Sequence, residues 1–538
     1  MATNTTTDSG AGDLFQRKAT GLLRGWSVWD GFIYAAFSIN LITLGLFIFS
    51  YAPFIPDGSL IWAIVLSGLY LVFQAVTYAS LIAVMPRAGG DYVWQSRILG
   101  GGIGFVLAVT GWWFILWHWV PIYANILNVQ VLVPLATILK LDGIAAFFGG
   151  AAGLFVASMA VAILASVYIS LGMRAYARIQ KFCFYGGLVG LAIMLILLLV
   201  NSNADFVGAF NSNANELYGA SGNAYQQTLE AGSIEAAGPA TLALGPTLLL
   251  IPMIVFFNLW SSWGATLYGE VRGASDFRKN IYAMGGALVA TSIVAVIMLA
   301  LIAKTLGWDF YFASANAYWS GAENAPTSVW PYPGLFAAFF FDSPILQVIL
   351  VGLLSLWFFG WVGTVFLSST RVVFATAFDR VLPEAVARTS RNGVPYVALA
   401  LMLIPTIPIS YLYAFGENFA TYTLDATLVI AITFLGSAIA AAVLPWRRPE
   451  IYNASPIARY NLLGIPLITV ASSAFAIFLV FCLFKWLTDA TYGINNGQSL
   501  IYMAGLYVVA LLLYVGFRLY RRSQGVDLGM VYSEIPED

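Results

Sequence analysis

WDGFIYAAFSINLITLGLFIFSY, residues 29–51, is long enough to cross a bilayer yet holds Ser38, Asn40 and Thr43 at its centre. Polar groups at mid-depth are unfavourable unless a neighbouring helix, a cavity or a ligand takes up their hydrogen bonds. Successive residues of a helix turn by about 100°, so Ser38 and Asn40 point to nearly opposite sides of an intact helix. Both face one cavity only if the helix is interrupted there. We therefore read this stretch as the first half of a substrate site made from broken transmembrane helices, with Ser38, Ile39, Asn40 and Leu41 at the break.

The rest of the composition fits a polytopic membrane protein. Hydrophobic residues make up 60% of the chain and charged residues 9%, against roughly one-quarter charged in soluble domains. The formal net charge of −1 gives no reason to expect nucleic acid or an acidic partner. The polar residues 1–24 and the length of the first apolar stretch argue against a cleaved signal peptide. Cys183 and Cys482 fall in different predicted helices, so neither a disulfide framework nor a metal cluster follows.

A spanning helix needs about 20 mostly apolar residues. Twelve segments meet this: 29–51, 60–84, 101–127, 152–171, 182–200, 243–267, 281–303, 344–367, 395–414, 425–444, 465–484 and 500–520. With the N-terminus inside, all of the 24 Lys and Arg residues except Lys140, Lys304 and Lys485 fall on the inner side, as the positive-inside rule requires. The expectation is an all-α, twelve-span protein of the cytoplasmic membrane with both termini cytoplasmic. Outside, residues 201–242 lack Lys and Arg and suit a mobile loop. Residues 304–343 are rich in Trp and Tyr and suit an interfacial belt or a cap on the outer vestibule.

Span six, LLLIPMIVFFNLWSSWGATLYGE, supplies the second half of the site. It has Pro252, then Asn258, Ser261 and Ser262 at i, i+3 and i+4, expected on one helical face as substrate ligands. Phe256, Phe257 and Trp260 surround them as candidate gates, able to close over a ligand or stack on a cationic amine; bundle packing is the alternative. Ser261 lies about 14 Å above Glu270 and Ser38 about 12 Å above Asp30, so both interruptions sit near the middle of the roughly 30 Å core. Spans five apart run in opposite directions, the relation of two inverted repeats with a midplane site between their first helices.

Four stretches resemble the amino acid-polyamine-organocation transporter superfamily. MPRAGGDYVWQSRILGGGIGF, residues 85–105, is similar to its P-x-x-G-G-x-Y inner loop through Pro86, Gly89, Gly90 and Tyr92. The others are Gly269-Glu270-Val271-Arg272 with Asp276 to Asn280; Thr370-Arg371 through Asp379 to Pro383 with Gly393-Val394-Pro395; and Ser38-x-Asn40 with Gly45-x-Phe47. The resemblance covers residues 26 to about 446. It implies a LeuT-type five-plus-five inverted repeat with discontinuous spans one and six, secondary active transport, and an amino acid or small amine held by spans one, three, six and eight. Ion-coupled symport is the expected mode, with exchange or permease-like sensing as alternatives. This chain departs from the family's glycine-rich breaks with Ile39, Thr43, Trp260 and Ser261. On this reading the chain divides into a tail 1–25, repeats 26–200 and 243–446 flanking the outer loop 201–242, an inner loop 447–464, spans eleven and twelve over 465–522, and a tail 523–538.

No cofactor is expected beyond H+ or Na+ as coupling ion, and the chain is expected to act as a monomer or homodimer. His118, the single histidine, lies deep in span three and is a candidate for proton coupling, or else is hydrogen-bonded to a neighbouring helix. Thr364, Ser368 and Ser369 offer hard oxygens for sodium, or simple helix–helix bonds. Span five has no charge in FYGGLVGLAIM, where some proton-coupled relatives have a lysine. Arg371, Asp379 and Arg380 suit an inner gate network or a solvated loop, and Asp425 an outer gate or a helix N-terminus. One histidine, no HExxH, no GxSxG and no paired acids within a span leave no catalytic or metal-ligating set, which argues against an enzyme.

Overall fold

Among the described residues, twelve helical stretches are long and apolar enough to cross a bilayer: Val28–Phe49, Leu60–Val84, Gly101–Ile138, Ala151–Ser170, Met173–Val200, Leu244–Glu270, Phe277–Ser320, Pro344–Phe378, Tyr396–Phe415, Asp425–Arg447, Leu467–Thr488 and Gly497–Ser523. They correspond one to one with the predicted spans. The structure, a computed structural model, describes residues 22, 25–327, 329–416, 419 and 422–533, and of Thr423 and Leu424 the backbone alone. Most of the predicted tail 1–25, with Arg17, Lys18 and Arg24, and residues 534–538 lie outside the described residues.

The differences lie in what continues past the expected ends. Span three runs on to Ile138 because Pro134 falls in the first turn of a new segment, Val133–Ile138, after the wide turn Asn128–Leu132, where its missing N–H costs nothing. Span seven bends at Gly307, φ 93°, into the helix Trp308–Ser320. Trp308, Phe310 and Tyr311 are buried there, and Trp319 and Trp330 donate to Ser50 Oγ at the far end of span one at 3.1 and 3.4 Å. This segment packs as a cap on the end of span one. Residues 201–242, expected as a loop, contain helices Asn203–Tyr218 and Ala224–Ala231. Ser202 and Asp205 form a capping box at the start of the first. Phe206 and Phe210, one turn apart, pack their rings 5.3 and 4.9 Å from Phe310. The polar composition hid that spacing.

Span eight is discontinuous. The helix Pro344–Trp361 stops, Gly363 takes φ 88°, and a new helix covers Thr364–Phe378. A break in a membrane frees carbonyls that need donors. Gln180 Nε2 donates to Gly360 O (3.0 Å), Tyr123 Oη to Trp361 O (3.2 Å) and Tyr176 Oη to Val362 O (3.2 Å). Spans three and five thereby hold the break open.

The loop after span two folds into a short buried helix, Asp91–Ile98. Gly89 and Gly90 take φ of 98° and 39°, and Gly89 N donates to Thr266 O of span six at 2.9 Å. A Cβ on Gly90 would stand 3.0 Å from Thr266 Cα, so the glycine pair lets this loop lie directly against span six.

Candidate functional site

Span one is an α-helix from Val28 to Ile39, capped by Ser27 and Asp30. Asn40 then turns left-handed (φ 48°, ψ 80°), and the chain resumes as a wide turn, Leu41–Gly45, and the helix Leu46–Phe49. Asparagine is among the few side chains that tolerate this backbone, because its amide replaces lost helix partners. Asn40 Oδ1 accepts from Thr43 N at 3.1 Å and Nδ2 donates to Trp357 O of span eight at 3.1 Å. Gln130 of span three donates to Thr43 O at 2.8 Å. The break predicted from Ser38 and Asn40 is present, with Ile39 and Leu41 buried on either side of Asn40.

Span six changes winding instead of opening. It is α-helical from Leu244 to Asn258, through Pro252, and a 3₁₀-helix from Leu259 to Glu270. Such long 3₁₀ runs are uncommon and mark hinges. Gln74 of span two donates to Leu259 O at 2.8 Å, just where the ladder changes. Of the three polar residues expected on one face, two bond to span two and one does not. Asn258 Nδ2 donates to Ser67 Oγ (2.7 Å) and Ser262 Oγ accepts from Gln74 (2.9 Å), both toward span two. Ser261 Oγ is buried without a partner among the described residues.

Between these elements lies a void of about 10 Å³, lined by Ser38, Trp119, Trp260, Trp263, Trp361, Thr364 and Val365. That is the room of roughly one water. Four indoles from spans three, six and eight enclose it: Trp119 stands edge-on to Trp260 and Trp361 at 6.0 Å, and Trp260 to Trp263 at 5.4 Å. Trp260 Nε1 donates to Phe256 O, whereas the buried Nε1 atoms of Trp119 and Trp263 have no partner among the described residues. A larger cavity of 630 Å³, lined among others by Leu44, Phe47, Tyr51, Trp119, Phe256 and Trp319, lies on the cap side. Trp119 belongs to both spaces. Phe257 packs against Phe49 at 5.0 Å between spans one and six, so of the three candidate gates Phe256 lines the larger cavity and Trp260 the void.

The opposite, arginine-rich face is closed. Arg371 Nε donates to Glu270 Oε1 at 2.7 Å and Nη2 to Oε2 at 3.2 Å, joining spans eight and six. Arg97 makes a paired contact with Asp379, with Nη2 to Oδ1 at 2.7 Å. Of the expected gate residues, Arg371 and Asp379 belong to these pairs and Arg380 to neither. Trp26 adds a plug: its indole donates to Met173 O at 2.8 Å and packs 5.1 Å from the Tyr34 ring, and its carbonyl accepts from Arg272 N at 3.0 Å.

The ion-coupling candidates are elsewhere engaged. Thr364 Oγ1 donates to Trp361 O (2.9 Å), Ser368 Oγ to Trp263 O (2.9 Å) and Ser369 Oγ to Val365 O (2.8 Å). The Tyr34 hydroxyl sits among them, 2.5 Å from Thr364 O and 2.7 Å from Ser368 Oγ, and Tyr123 Oη lies 3.1 Å from Thr364 Oγ1. Phenols thus occupy the seam between spans one and eight where free oxygens were expected. His118 turns from the void toward span twelve, with Nε2 2.6 Å from Tyr502 Oη and its ring stacked on Phe419. Trp119, Trp361 and Gln74 were not singled out from the sequence, since nothing distinguishes one tryptophan among 17.

Residues 30–512 match a family model described as amino acid permease. No curated protein matches the chain.

Proposed function

The chain belongs to the amino acid permease family, a family of membrane transporters, and from that premise we propose that it moves a small amino acid or related amine across the cytoplasmic membrane by alternating access. We take its frame to be a LeuT-type five-plus-five inverted repeat, with the arginine-rich face cytoplasmic. The observation that carries the reading is the indole-walled void beside the break at Asn40, with a 630 Å³ antechamber on one face and buried ion pairs on the other. This is the arrangement of a site closed to the cell interior and one side chain away from the outside.

The walls suit a zwitterion. Indole faces attract an ammonium group. The unpartnered N–H groups of Trp119 and Trp263 suit a carboxylate. None of the residues lining the void is charged, so a substrate with net charge would lack a counter-ion there. The void is too small for any amino acid until Trp119 or Trp260 swings aside, which is the binding step of an occluding carrier.

A thermal-shift screen of the twenty standard amino acids and common amines identifies the substrate, since a ligand that prefers the folded state raises its apparent stability. Counterflow of that labelled compound in proteoliposomes then tests transport. Saturable exchange supports the carrier, coupled or exchanging; binding without exchange makes the protein a sensor; current without saturation makes it a channel.

A further inference from the structure

Asp91 opens the short helix behind span six, and its side chain is fully buried. Oδ1 accepts from the Tyr78 hydroxyl of span two at 2.7 Å and from the Ser437 hydroxyl of span ten at 2.5 Å. Oδ2 has no hydrogen-bond partner among the described residues. The charges on the elements around it are matched with one another. Arg97 of its own helix is paired with Asp379, which follows span eight, and Arg371 of span eight is paired with Glu270 of span six. Span two contributes Tyr78; span three Trp112; span ten Ser437, with Asp425 about 18 Å away toward its other end. No cation among these is committed to Asp91.

A carboxylate so placed is driven toward its neutral form. Burial pushes the Asp91 carboxyl up to about 6, against hydrogen bonds from Ser437 and Tyr78 that favour the anion. Its occupancy by a proton is thus poised within reach of physiological pH.

Its position ties it to the void. The Trp112 indole, among the groups favouring the Asp91 anion, lies 4.2 Å from the Trp263 ring at a tilt of 34°, and Trp263 walls the void. Gly89, two residues before Asp91, donates its N–H to Thr266 O in the 3₁₀ segment of span six. Gln95, one turn on, donates to Thr433 O and Ser437 Oγ of span ten. Movement of span six against span ten therefore alters the shell around this carboxyl.

We propose that Asp91 is the proton-binding site that couples transport to the proton gradient. This rests on the carrier reading above. A proton from outside adds to Oδ2, the neutral carboxyl permits the turnover of span six with substrate bound, and the proton leaves to the cytoplasmic side when that face opens and water reaches the carboxylate. No other group is consumed.

The test uses the full-length protein in proteoliposomes holding a pH-sensitive dye, with a radiolabelled mixture of the standard amino acids. For one proton per substrate, a one-unit acid-outside gradient sustains up to about tenfold accumulation. Asp91→Asn is expected to abolish that accumulation and the matching internal acidification, and to remove the pH dependence of exchange. Should Asp91→Asn misfold, Ser437→Ala keeps the carboxyl and removes one bond to its anion, so the pH midpoint of exchange must move upward. Infrared difference spectra between about pH 5 and about pH 7 give a substrate-free readout: a protonated-carboxyl band in the wild type that Asp91→Asn lacks. Retained gradient-driven accumulation in Asp91→Asn, or an unmoved midpoint in Ser437→Ala, overturns the proposal. Absence of exchange in the wild type would instead overturn the carrier reading.

Discussion

Glu270→Gln should turn the protein around. In the present state Glu270 and Arg371 bond through both carboxylate oxygens, with side chains 1% and 0% exposed. Removing one member of a buried pair strands the other charge, at a cost of about 3–5 kcal/mol. In the inward-open state of the proposed carrier, where span six swings away and water enters, the same pair is worth about 0–1 kcal/mol. The difference, about 3 kcal/mol, shifts the ratio of the two states roughly a hundredfold toward the one open at the arginine-rich face. Asn125 lines the 630 Å³ cavity and both native cysteines are buried, so Asn125→Cys reports the state through its reaction with a membrane-impermeant maleimide. Glu270→Gln should slow that labelling, by about tenfold or more where the outward state starts at no more than about ten to one. Glu270→Gln with Arg371→Met, which leaves no stranded charge, should recover most of it. Labelling at the original rate in the single variant, or equal slowing in both, refutes the reasoning.

Three further outcomes are expected. Asn40→Ala loses two hydrogen bonds and puts a Cβ without compensation in the left-handed region, destabilising the protein by about 2–4 kcal/mol in a thermal-shift assay; Asn40→Gly keeps the backbone turn and should retain more exchange activity. His118→Gln should leave the pH profile of exchange unchanged, because the imidazole meets Tyr502 and Phe419 and not the void. The Asp91 carboxyl, raised from 3.8 to about 6, binds its proton more tightly when folded and so adds stability in acid. About 3 kcal/mol present below about pH 4 is then lost as pH rises through about 6, and a fall in melting temperature from about pH 4 to about pH 7 that is smaller in Asp91→Asn than in the wild type checks this.

What could be read in advance was whatever a single helix dictates. Apolar length fixed the twelve spans, and Ser38 with Asn40 marked the interruption of span one, because isolated polar residues inside an apolar run need an explanation local to them. Span six was harder. Whether residues after Asn258 wind as α or 3₁₀ depends on Gln74 arriving from another span to take the Leu259 carbonyl, and no pattern within span six records that. The same holds at Gly363, where Gln180, Tyr123 and Tyr176 make the interruption tolerable. The indoles around the void were invisible for the opposite reason: in a span such as GWWFILWHWVP every aromatic looks like packing. Asp91 occupies the variable place in P-x-x-G-G-x-Y, so the recognisable letters drew the eye past it.

One indole forms part of two rooms. Trp119 is at once a panel of the antechamber and a panel of the inner chamber, so on the proposed carrier reading the motion that admits a visitor also makes the space to seat it. Admission and accommodation are then a single event, and a guest too bulky to let that panel swing back would hold the passage ajar and block the next half of the cycle.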